Sequence, residues 1–330
     1  MAFILLSKGD ICYLLQQGIK KKTFTDARCI HLLMISSGLD SIPFLCDHLI
    51  RLFAACGCLI EANKVFYKIP APSVFTWNAI ISAHVESREY IRGFQLYQEM
   101  QANGVKPDHI LHLTVLKACG AIQNIDQGRQ IHDQIIIHHL ETDVYLGSSI
   151  IDMYMKCMCL EDAHRVFDKL TNLNIVAWNA LISGYVNAGF CYLAIELFDN
   201  MQTEGFKPDC FIFPSILKAC GIVKNVQLGK FLHNKIRESG FEMDLAVGNA
   251  LIDMYSRCGS LADARSVFNG ILKRDAVTWN VMIGCCADHG NGNDVFELSQ
   301  QMEEDGLKPD EFTISSILSA CRHAGLVCEA

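Results

Sequence analysis

Three asparagines stand directly behind the only three tryptophans of this 330-residue sequence. The three Trp-Asn dipeptides lie 101 residues apart, and a Lys-Pro-Asp triplet ends 30 residues after each asparagine. An Asn side chain offers both a hydrogen-bond donor and an acceptor, whereas an Asp side chain offers acceptors only. Either residue type is also a good helix cap. The pairs are Asn78 with Asp108, Asn179 with Asp209, and Asn280 with Asp310.

The sixteen cysteines suggest metal or disulfide chemistry. No C-x-x-C pair occurs, however, and six cysteines follow the same 101-residue spacing as the tryptophans. Each of these six stands in an apolar helical stretch, where a free thiol behaves as a small hydrophobic side chain. We therefore predict buried structural thiols in a reducing compartment, with no metal and no cofactor. The periodic cysteines are Cys56, Cys157, Cys258, Cys119, Cys220 and Cys321.

Catalytic motifs are missing from the sequence. A zinc deaminase needs H-x-E with a downstream P-C-x-x-C, and no P-C-x-x-C occurs anywhere in the sequence. A phosphate-binding loop needs Ser or Thr after its Gly-Lys pair, but here Phe231 follows. H-E-x-x-H and G-x-S-x-G are also absent. We predict that the chain is not an enzyme and has no small-molecule substrate. The periodic His31, His132 and His233 are expected to pack or line a groove and not to act as catalysts.

Charge and hydropathy exclude two further classes. The net charge of −8 counts against non-specific nucleic-acid binding through a broad basic face, although an elongated protein can keep a local basic groove. The longest apolar runs fall well short of the ~20 residues of a membrane span. The first ten residues contain no small-residue cleavage site, so no secretory leader is predicted. No membrane partner is expected.

The 101-residue period contains three segment types. The first begins around Trp-Asn and ends in Lys-Pro-Asp, the second contains LKACG, and the third contains IDMY; their lengths are 35, 35 and 31 residues. Extending the register divides the chain into an N-terminal stub, nine complete units and a partial unit. The stub is 1–7, the complete units are 8–42, 43–73, 74–108, 109–143, 144–174, 175–209, 210–244, 245–275 and 276–310, and the partial unit is 311–330.

Each unit has the pattern of two helices. In 175–209, Trp178, Leu181, Ile182 and Tyr185 form an i, i+3, i+4, i+7 apolar stripe, and a second stripe follows. One hairpin cannot bury its own stripe, but stacked hairpins bury it between them. The sequence therefore predicts an all-α solenoid with contacts between adjacent units. Because the last unit stops halfway, we expect a part of something longer or a truncated product.

The unit lengths distinguish between repeat classes. The tetratricopeptide class has a period of about 34 residues and a glycine in its first helix where this sequence has none. The alternation of lengths, with WNALISGY, LIDMYSRCG, ARSVF, ILKACG and GFKPD, resembles the plant pentatricopeptide repeat (PPR) family. The best match is its PLS subclass, which alternates standard (P), long (L) and short (S) motifs. Unit 8–42 is then L-type, 43–73 S-type and 74–108 P-type, and this order repeats to residue 330.

The resemblance implies a function as well as a fold. It implies a right-handed superhelix that binds single-stranded RNA in mitochondria or chloroplasts, mitochondria being favoured, with one base per repeat. The subclass acts mainly in C-to-U RNA editing, a form of RNA modification in which the repeats choose the site. Related editing proteins often carry a C-terminal deaminase-like domain that this chain lacks, so the resemblance implies either a deaminase or accessory factor in trans or a missing C-terminus.

In the family, the fifth and last residues of each motif read the base and the second residue wedges it. The resemblance makes Asn/Asp pairs readers of U, the pair Ser148/Asn174 a reader of A, and leaves the base of Asp47/Ser73 open. The apolar fifth residues of the L-type units, Leu113 and Pro214, read little. The implied readers are Asn78, Asp108, Ser148, Asn174, Asn179, Asp209, Asn249, Asp275, Asn280, Asp310, Asp47 and Ser73, and the implied wedges are Phe75, Tyr145, Val176, Phe211 and Val277.

Other interpretations of these residues stay open. The Asn and Asp residues could simply cap helices, and capping and reading can coexist at the Asp. Lys106, Lys207 and Lys308 could contact phosphate or lie in solvated turns. The solenoid could grip a peptide as tetratricopeptide repeats do, or be a copy that folds but has lost its function. The recurrence of one polar pair at fixed register favours RNA reading.

Overall fold

A computed structural model describes residues 7–138, 140 and 143–323. In these residues it contains nineteen α-helices and no β-strand. Backbone contacts divide the chain into two compact units, residues 1–173 and 174–330. The helices of the first unit are α1 (Lys8–Lys21), α2 (Phe24–Ser36), α3 (Pro43–Ala55), α4 (Leu59–Phe66), α5 (Val74–Glu86), α6 (Tyr90–Ala102), α7 (His109–Ile122), α8 (Ile125–Ile137), α9 (Val144–Lys156) and α10 (Leu160–Lys169).

The second compact unit has the same all-helical construction. None of the helices in the described part of the chain is long and apolar enough to cross a membrane. The helices of this unit are α11 (Ile175–Asn187), α12 (Cys191–Thr203), α13 (Ile212–Val223), α14 (Val226–Glu238), α15 (Leu245–Arg257), α16 (Leu261–Gly270), α17 (Ala276–Asp288), α18 (Gly292–Glu304) and α19 (Glu311–His323).

Consecutive helices pair as hairpins, and the hairpins stack within each unit. In the first unit, α3 packs against its hairpin partner α4 and against α1 and α5, the first helices of the neighbouring hairpins. In the second unit, α13 packs in the same way against α14, α11 and α15. A helix that contacts its partner and the equivalent helix of each adjacent hairpin is the building block of a solenoid. The structure therefore confirms the predicted all-α solenoid class.

The apolar stripe of α11 shows why these residues form this hairpin. All four stripe residues are buried, at most 6% exposed. The helix ends where Gly189 adopts a left-handed φ of 87°. The N–H of Phe190 then donates to the carbonyl of Tyr185 at 2.9 Å, which satisfies an otherwise unpaired group of the last turn. Glycine permits this conformation without a Cβ penalty, so the chain can reverse and begin α12.

The three tryptophans form part of the core of their hairpins. Trp77, Trp178 and Trp279 are 4%, 2% and 1% exposed. The ring of Trp77 lies edge to face against Phe66, with centroids 4.8 Å apart, and Trp279 meets Phe268 in the same way at 5.0 Å. Such edge-to-face pairs stabilise by about 0.5–1.5 kcal/mol beyond the burial of their area. The predicted packing role of the tryptophans is confirmed.

The periodic cysteines also serve packing. Cys119, Cys220 and Cys321 are buried, and Cys157 and Cys258 are half-buried. Burial raises the pKa of the Cys119 and Cys220 thiols to about 12, so both stay protonated at neutral pH. The fifteen cysteines in the described residues are free, and these residues hold no group of three or more side chains suited to a metal ion.

Candidate nucleic-acid interface

The three Asn/Asp pairs form three direct hydrogen bonds. Asn78 Nδ2 on α5 donates to Asp108 Oδ2 at 2.7 Å, and Asn280 Nδ2 on α17 donates to Asp310 Oδ2 at 2.8 Å. Asn179 Nδ2 on α11 lies 3.2 and 3.3 Å from the two carboxylate oxygens of Asp209. Each bond joins the first helix of one hairpin to the start of the next hairpin. An Asp carboxylate therefore holds one amide hydrogen of each Asn, and the second amide hydrogen is not used by it.

The same aspartates also cap helices. Asp108 Oδ1 accepts from the backbone N–H of Leu111 at 2.9 Å in the first turn of α7. Asp310 Oδ1 accepts from the N–H groups of Phe312 and Thr313, both at 3.0 Å. The Thr313 backbone hydrogen bond, followed by the one from Asn280, lowers the pKa of the Asp310 carboxyl. One carboxylate oxygen caps the helix while the other orients the Asn, so capping and Asn orientation coexist in these two pairs.

The predicted readers of unit 144–174 are arranged differently. Ser148 Oγ donates to the carbonyl of Val144 at 2.7 Å, within its own helix. Asn174 caps α11 by accepting from the N–H of Ala177 at 2.7 Å. Ser148 Oγ and Asn174 Oδ1 are therefore both engaged with backbone groups.

Unit 245–275 pairs an asparagine with a capping aspartate. Asn249 Oδ1 on α15 is buried and has no hydrogen-bond partner in the described residues. Asp275 Oδ1 instead accepts from both the backbone N–H and the hydroxyl of Thr278, each at 2.8 Å. The Asn–Asp bond seen in the three pairs above is thus absent between these two described residues, and Asp275 is bonded to Thr278.

Unit 43–73 places a carboxylic acid where units 144–174 and 245–275 place a hydroxyl and an amide. Asp47 on α3 is only 7% exposed, and burial raises the pKa of its carboxyl, an effect opposed by a hydrogen bond from Thr76. Ser73 caps α5: its Oγ accepts from the N–H of Thr76 at 3.3 Å and lies 3.1 Å from the Thr76 hydroxyl. Asp47 and Ser73, the fifth and last residues of unit 43–73, therefore both contact the side chain of Thr76.

The predicted wedge residues are exposed apolar side chains. Phe75, Tyr145 and Phe211 are 63%, 67% and 75% exposed, and Val176 and Val277 are 52% and 56% exposed. Each stands in or immediately before the first turn of a first helix, three residues before the reader on that helix. Exposed aromatic rings beside polar readers suit the stacking of unpaired bases.

Three more second residues share this exposure. They were not among the sequence-predicted wedges, although the unit register alone would have found them because each is the second residue of its unit. Their exposed fractions are 48%, 60% and 57%. These residues are Phe44, Ile110 and Phe312.

The fifth residues of units 109–143 and 210–244 are apolar, and the periodic lysines face solvent. Leu113 and Pro214 are half-buried. Lys106, Lys207 and Lys308 are all exposed.

The periodic histidines are packing groups. His132 Nδ1 lies 2.9 Å from the hydroxyl of Tyr154, and His233 Nδ1 lies 2.9 Å from that of Tyr255. His31 instead meets Phe53 edge to face, with centroids 5.7 Å apart. Burial lowers the pKa of His31, His132 and His233. All three rings connect neighbouring helices, consistent with the predicted packing role.

Comparison with known proteins decides the family. The family described as the PPR repeat family matches 72–120, 173–221 and 274–323, and the description PPR repeat matches 148–175 and 249–275. Together these matches cover more than half of the chain. The chain belongs to the pentatricopeptide repeat family. In this PPR chain, each match of the first kind spans a Trp-Asn hairpin and the first helix that follows it.

Curated relatives from the plant Arabidopsis thaliana support the assignment. Pentatricopeptide repeat-containing protein At5g27110 is 35% identical over 300 residues, which cover 91% of this chain and 43% of the relative. The putative pentatricopeptide repeat-containing protein At3g25060, mitochondrial, is 33% identical over 89% of this chain and 49% of its own. Protein At1g11290, chloroplastic, is 33% identical over 90% and 37%. The PPR chain therefore spans less than half the length of these relatives.

Two solved structures match over almost the whole length of this chain. Yeast Rmd9p, solved in complex with a 16-nucleotide target RNA, matches with a TM-score of 0.54 and 13% identity, over 95% of this chain and 76% of that one. The maize pentatricopeptide repeat protein PPR10 matches with a TM-score of 0.39 and 17% identity, over 98% of this chain and 63% of that one. The Rmd9p likeness supports the α-solenoid fold.

Proposed function

We propose that this PPR chain binds single-stranded RNA sequence-specifically, with one repeat per base. The observation that carries the proposal is one arrangement repeated in three P-type units. In each, an Asn amide is held by an Asp carboxylate, and an exposed apolar side chain stands three residues before the Asn. The held amide has one N–H left to donate to a base carbonyl, while the exposed side chain stacks on the base.

The proposed register gives each unit a base. The P-type units and unit 245–275 prefer U, unit 144–174 prefers A, and the L-type units and 43–73 are assigned no base. With RNA running parallel to the protein, units 43–310 select 5′-n-U-n-A-U-n-U-U-3′. This register rests on nine repeats of P, L and S type, which is itself part of the proposal. The helix positions support it, because α1 to α18 fall in pairs within the nine proposed units.

The proposed cellular role is recognition of a C-to-U editing site in an organellar transcript. The relatives described above include one named mitochondrial and one named chloroplastic, which supports an organellar location. The 330 residues are proposed to choose the site and not to catalyse the change. The deamination is assigned to an editing deaminase, recruited with or without an accessory factor in trans.

A binding assay tests base reading directly. Affinity for short RNAs that carry the U-n-A-U-n-U-U core is compared with affinity for RNAs of the same composition in scrambled order. We expect tighter binding of the core at every salt concentration, because phosphate contacts are common to both RNAs and base contacts are not. Equal affinity for the two sets contradicts the proposal.

A reciprocal pair of variants tests the register. Ser148→Asn combined with Asn174→Asp should move the preferred base of unit 144–174 from A to U. The matched control, Asn179→Ser combined with Asp209→Asn, should move the preference of unit 175–209 from U to A. Preferences that change at other nucleotides would show that the assumed register or RNA polarity is wrong.

A further inference from the structure

Thr313 places a buried hydroxyl in one of the three Asn/Asp sites. It is the third residue after Asp310 and is 0% exposed. Its Oγ1 lies 2.6 Å from the Oδ1 of Asn280 and 3.1 Å from Asp310 Oδ1. The shorter contact is to Asn280, so the hydroxyl donates to the amide carbonyl of the reader. The two residues are 33 apart in sequence, and the bond joins α17 to α19.

The other two P-type sites cannot form this bond. The residues that correspond to Thr313 are Leu111 and Ile212, both buried and neither with a hydroxyl. In these sites the Oδ1 atoms of Asn78 and Asn179 are buried without a hydrogen-bond partner in the described residues. A buried amide oxygen with no partner costs free energy, so these two amides are held at one end only.

Asn280 is therefore held at both ends. Its Nδ2 donates to Asp310 and its Oδ1 accepts from Thr313. Rotating the amide by half a turn would place Oδ1 against the Asp310 carboxylate and Nδ2 against the Thr313 hydroxyl. That arrangement loses the Asn–Asp bond and sets two acceptors against each other. The single free N–H of Asn280 thus keeps a fixed direction.

We propose that Thr313 is a positioning residue that fixes the amide of Asn280 and thereby sharpens base discrimination by unit 276–310. This inference rests on the proposed RNA-reading function. An amide fixed at both ends directs its donor at one site on the base edge. An amide held at one end has to be immobilised when the base binds, and this ordering costs part of the binding free energy. Unit 276–310 accordingly discriminates more strongly than units 74–108 and 175–209, although all three carry the same Asn/Asp pair.

Thr278 supplies a matched control. It occupies the same register position as Thr313, is also buried, and also donates its hydroxyl, but to Asp275 Oδ1 at 2.8 Å. The Oδ1 of its neighbouring reader, Asn249, is left without a partner in the described residues. Thr278→Val removes a buried hydroxyl beside a capping Asp without removing a bond to the amide of a proposed reader. It therefore reports the general cost of losing such a hydroxyl.

The test measures affinities of the chain for RNAs that vary one nucleotide at a time. The nucleotide read by unit 276–310 is the one whose preference disappears in Asn280→Ala. At this nucleotide, Thr313→Val should reduce the ratio of affinities for U over the other bases by about threefold to tenfold, the size of one lost hydrogen bond. Thr313→Ser should keep the wild-type ratio, and Thr278→Val should leave it unchanged. Ile212→Thr should raise discrimination at the nucleotide of unit 175–209.

Two results distinguish a failure of the proposed RNA-reading function from a failure of the inference about Thr313. A wild-type chain with no base preference at any nucleotide overturns the proposed function and this inference with it. A wild-type preference for U that survives intact in Thr313→Val overturns the inference alone. NMR of the free chain adds a readout without RNA: the two side-chain amide protons of Asn280 should lie far apart in chemical shift and move together in Thr313→Val. Unchanged amide signals in that variant also overturn the inference.

Discussion

Replacing His112 by Phe should remove most of one acid-sensitive contribution to stability. His112 lies on α7, is 0% exposed, and neither ring nitrogen has a hydrogen-bond partner in the described residues. Burial lowers its pKa from 6.5 to about 4, with His138 adding to the effect and Asp108 opposing it. The residue 101 positions later, Phe213, is also buried, which shows that the fold accepts a phenyl ring at this register.

The magnitude follows from the two protonation equilibria. Folding favours the neutral ring, so the contribution is complete above the unfolded pKa of 6.5 and is lost as the pH falls towards the folded pKa of about 4. Between pH 7.5 and pH 5 the loss amounts to about 2 kcal/mol, and it reaches about 3 kcal/mol at pH 4. The phenyl ring that replaces the imidazole cannot bind a proton, so His112→Phe should lack this part of the pH dependence.

Native-state hydrogen exchange measures the effect where it arises. Stacked hairpins open locally, so the free energy of opening is read from the amides of α7 at pH 7.5 and pH 5 in both proteins. The wild type should lose about 2 kcal/mol more than His112→Phe over this interval. Other titrating groups are common to both proteins and cancel in the comparison. Equal losses would refute the assignment of the acid sensitivity to His112.

Two further predictions concern packing and stacking. Gly229→Ala should destabilise the second compact unit by about 1–3 kcal/mol in thermal unfolding, because the added Cβ would lie 2.4 Å from Met254 Sδ. Gly270→Ala is the control: its Cβ would have no atom within 4 Å, so this variant should be neutral or stabilising. Equal melting temperatures for the two variants would contradict the prediction. Phe211→Ala should weaken RNA binding by about 1–3 kcal/mol without lowering the melting temperature, because the ring is 75% exposed. Phe213 lies two residues away and is fully buried, so Phe213→Ala should instead cost about 3–5 kcal/mol of folding stability. The predicted wedge register is wrong if Phe211→Ala lowers the stability and Phe213→Ala lowers only the RNA affinity.

The helices and their order could be predicted from local patterns. The stripe of Trp178, Leu181, Ile182 and Tyr185 specifies a buried helical face by spacing alone, and the structure buries all four residues. The 101-residue repetition then predicts hairpins that stack, because one hairpin cannot bury its own stripe. Both inferences use contacts within a helix or between neighbouring hairpins.

The hydrogen-bond partner of each predicted reader could not be predicted in the same way. Asn78, Asn179, Asn249 and Asn280 stand at one register position, yet within the described part of the chain Asn249 has no bond to its aspartate. The hydroxyl of Thr278 binds Asp275 Oδ1, whereas the corresponding hydroxyl of Thr313 binds the amide oxygen of Asn280. Residue types at fixed spacing do not show which of several nearby donors binds a given acceptor in the folded chain.

The sequence by itself determined the repeat and the all-α solenoid class, because spacing and residue type suffice for both, and its resemblance to the PPR family implied the positions of the candidate readers. Only the tertiary structure showed that Asp310 caps a helix and orients Asn280 with different oxygens, and that Thr313 holds the other end of that amide. These bonds join side chains about thirty residues apart, and their geometry depends on how closely adjacent hairpins pack. It also showed Phe44, Ile110 and Phe312 to be exposed, since exposure depends on what the neighbouring hairpins leave uncovered.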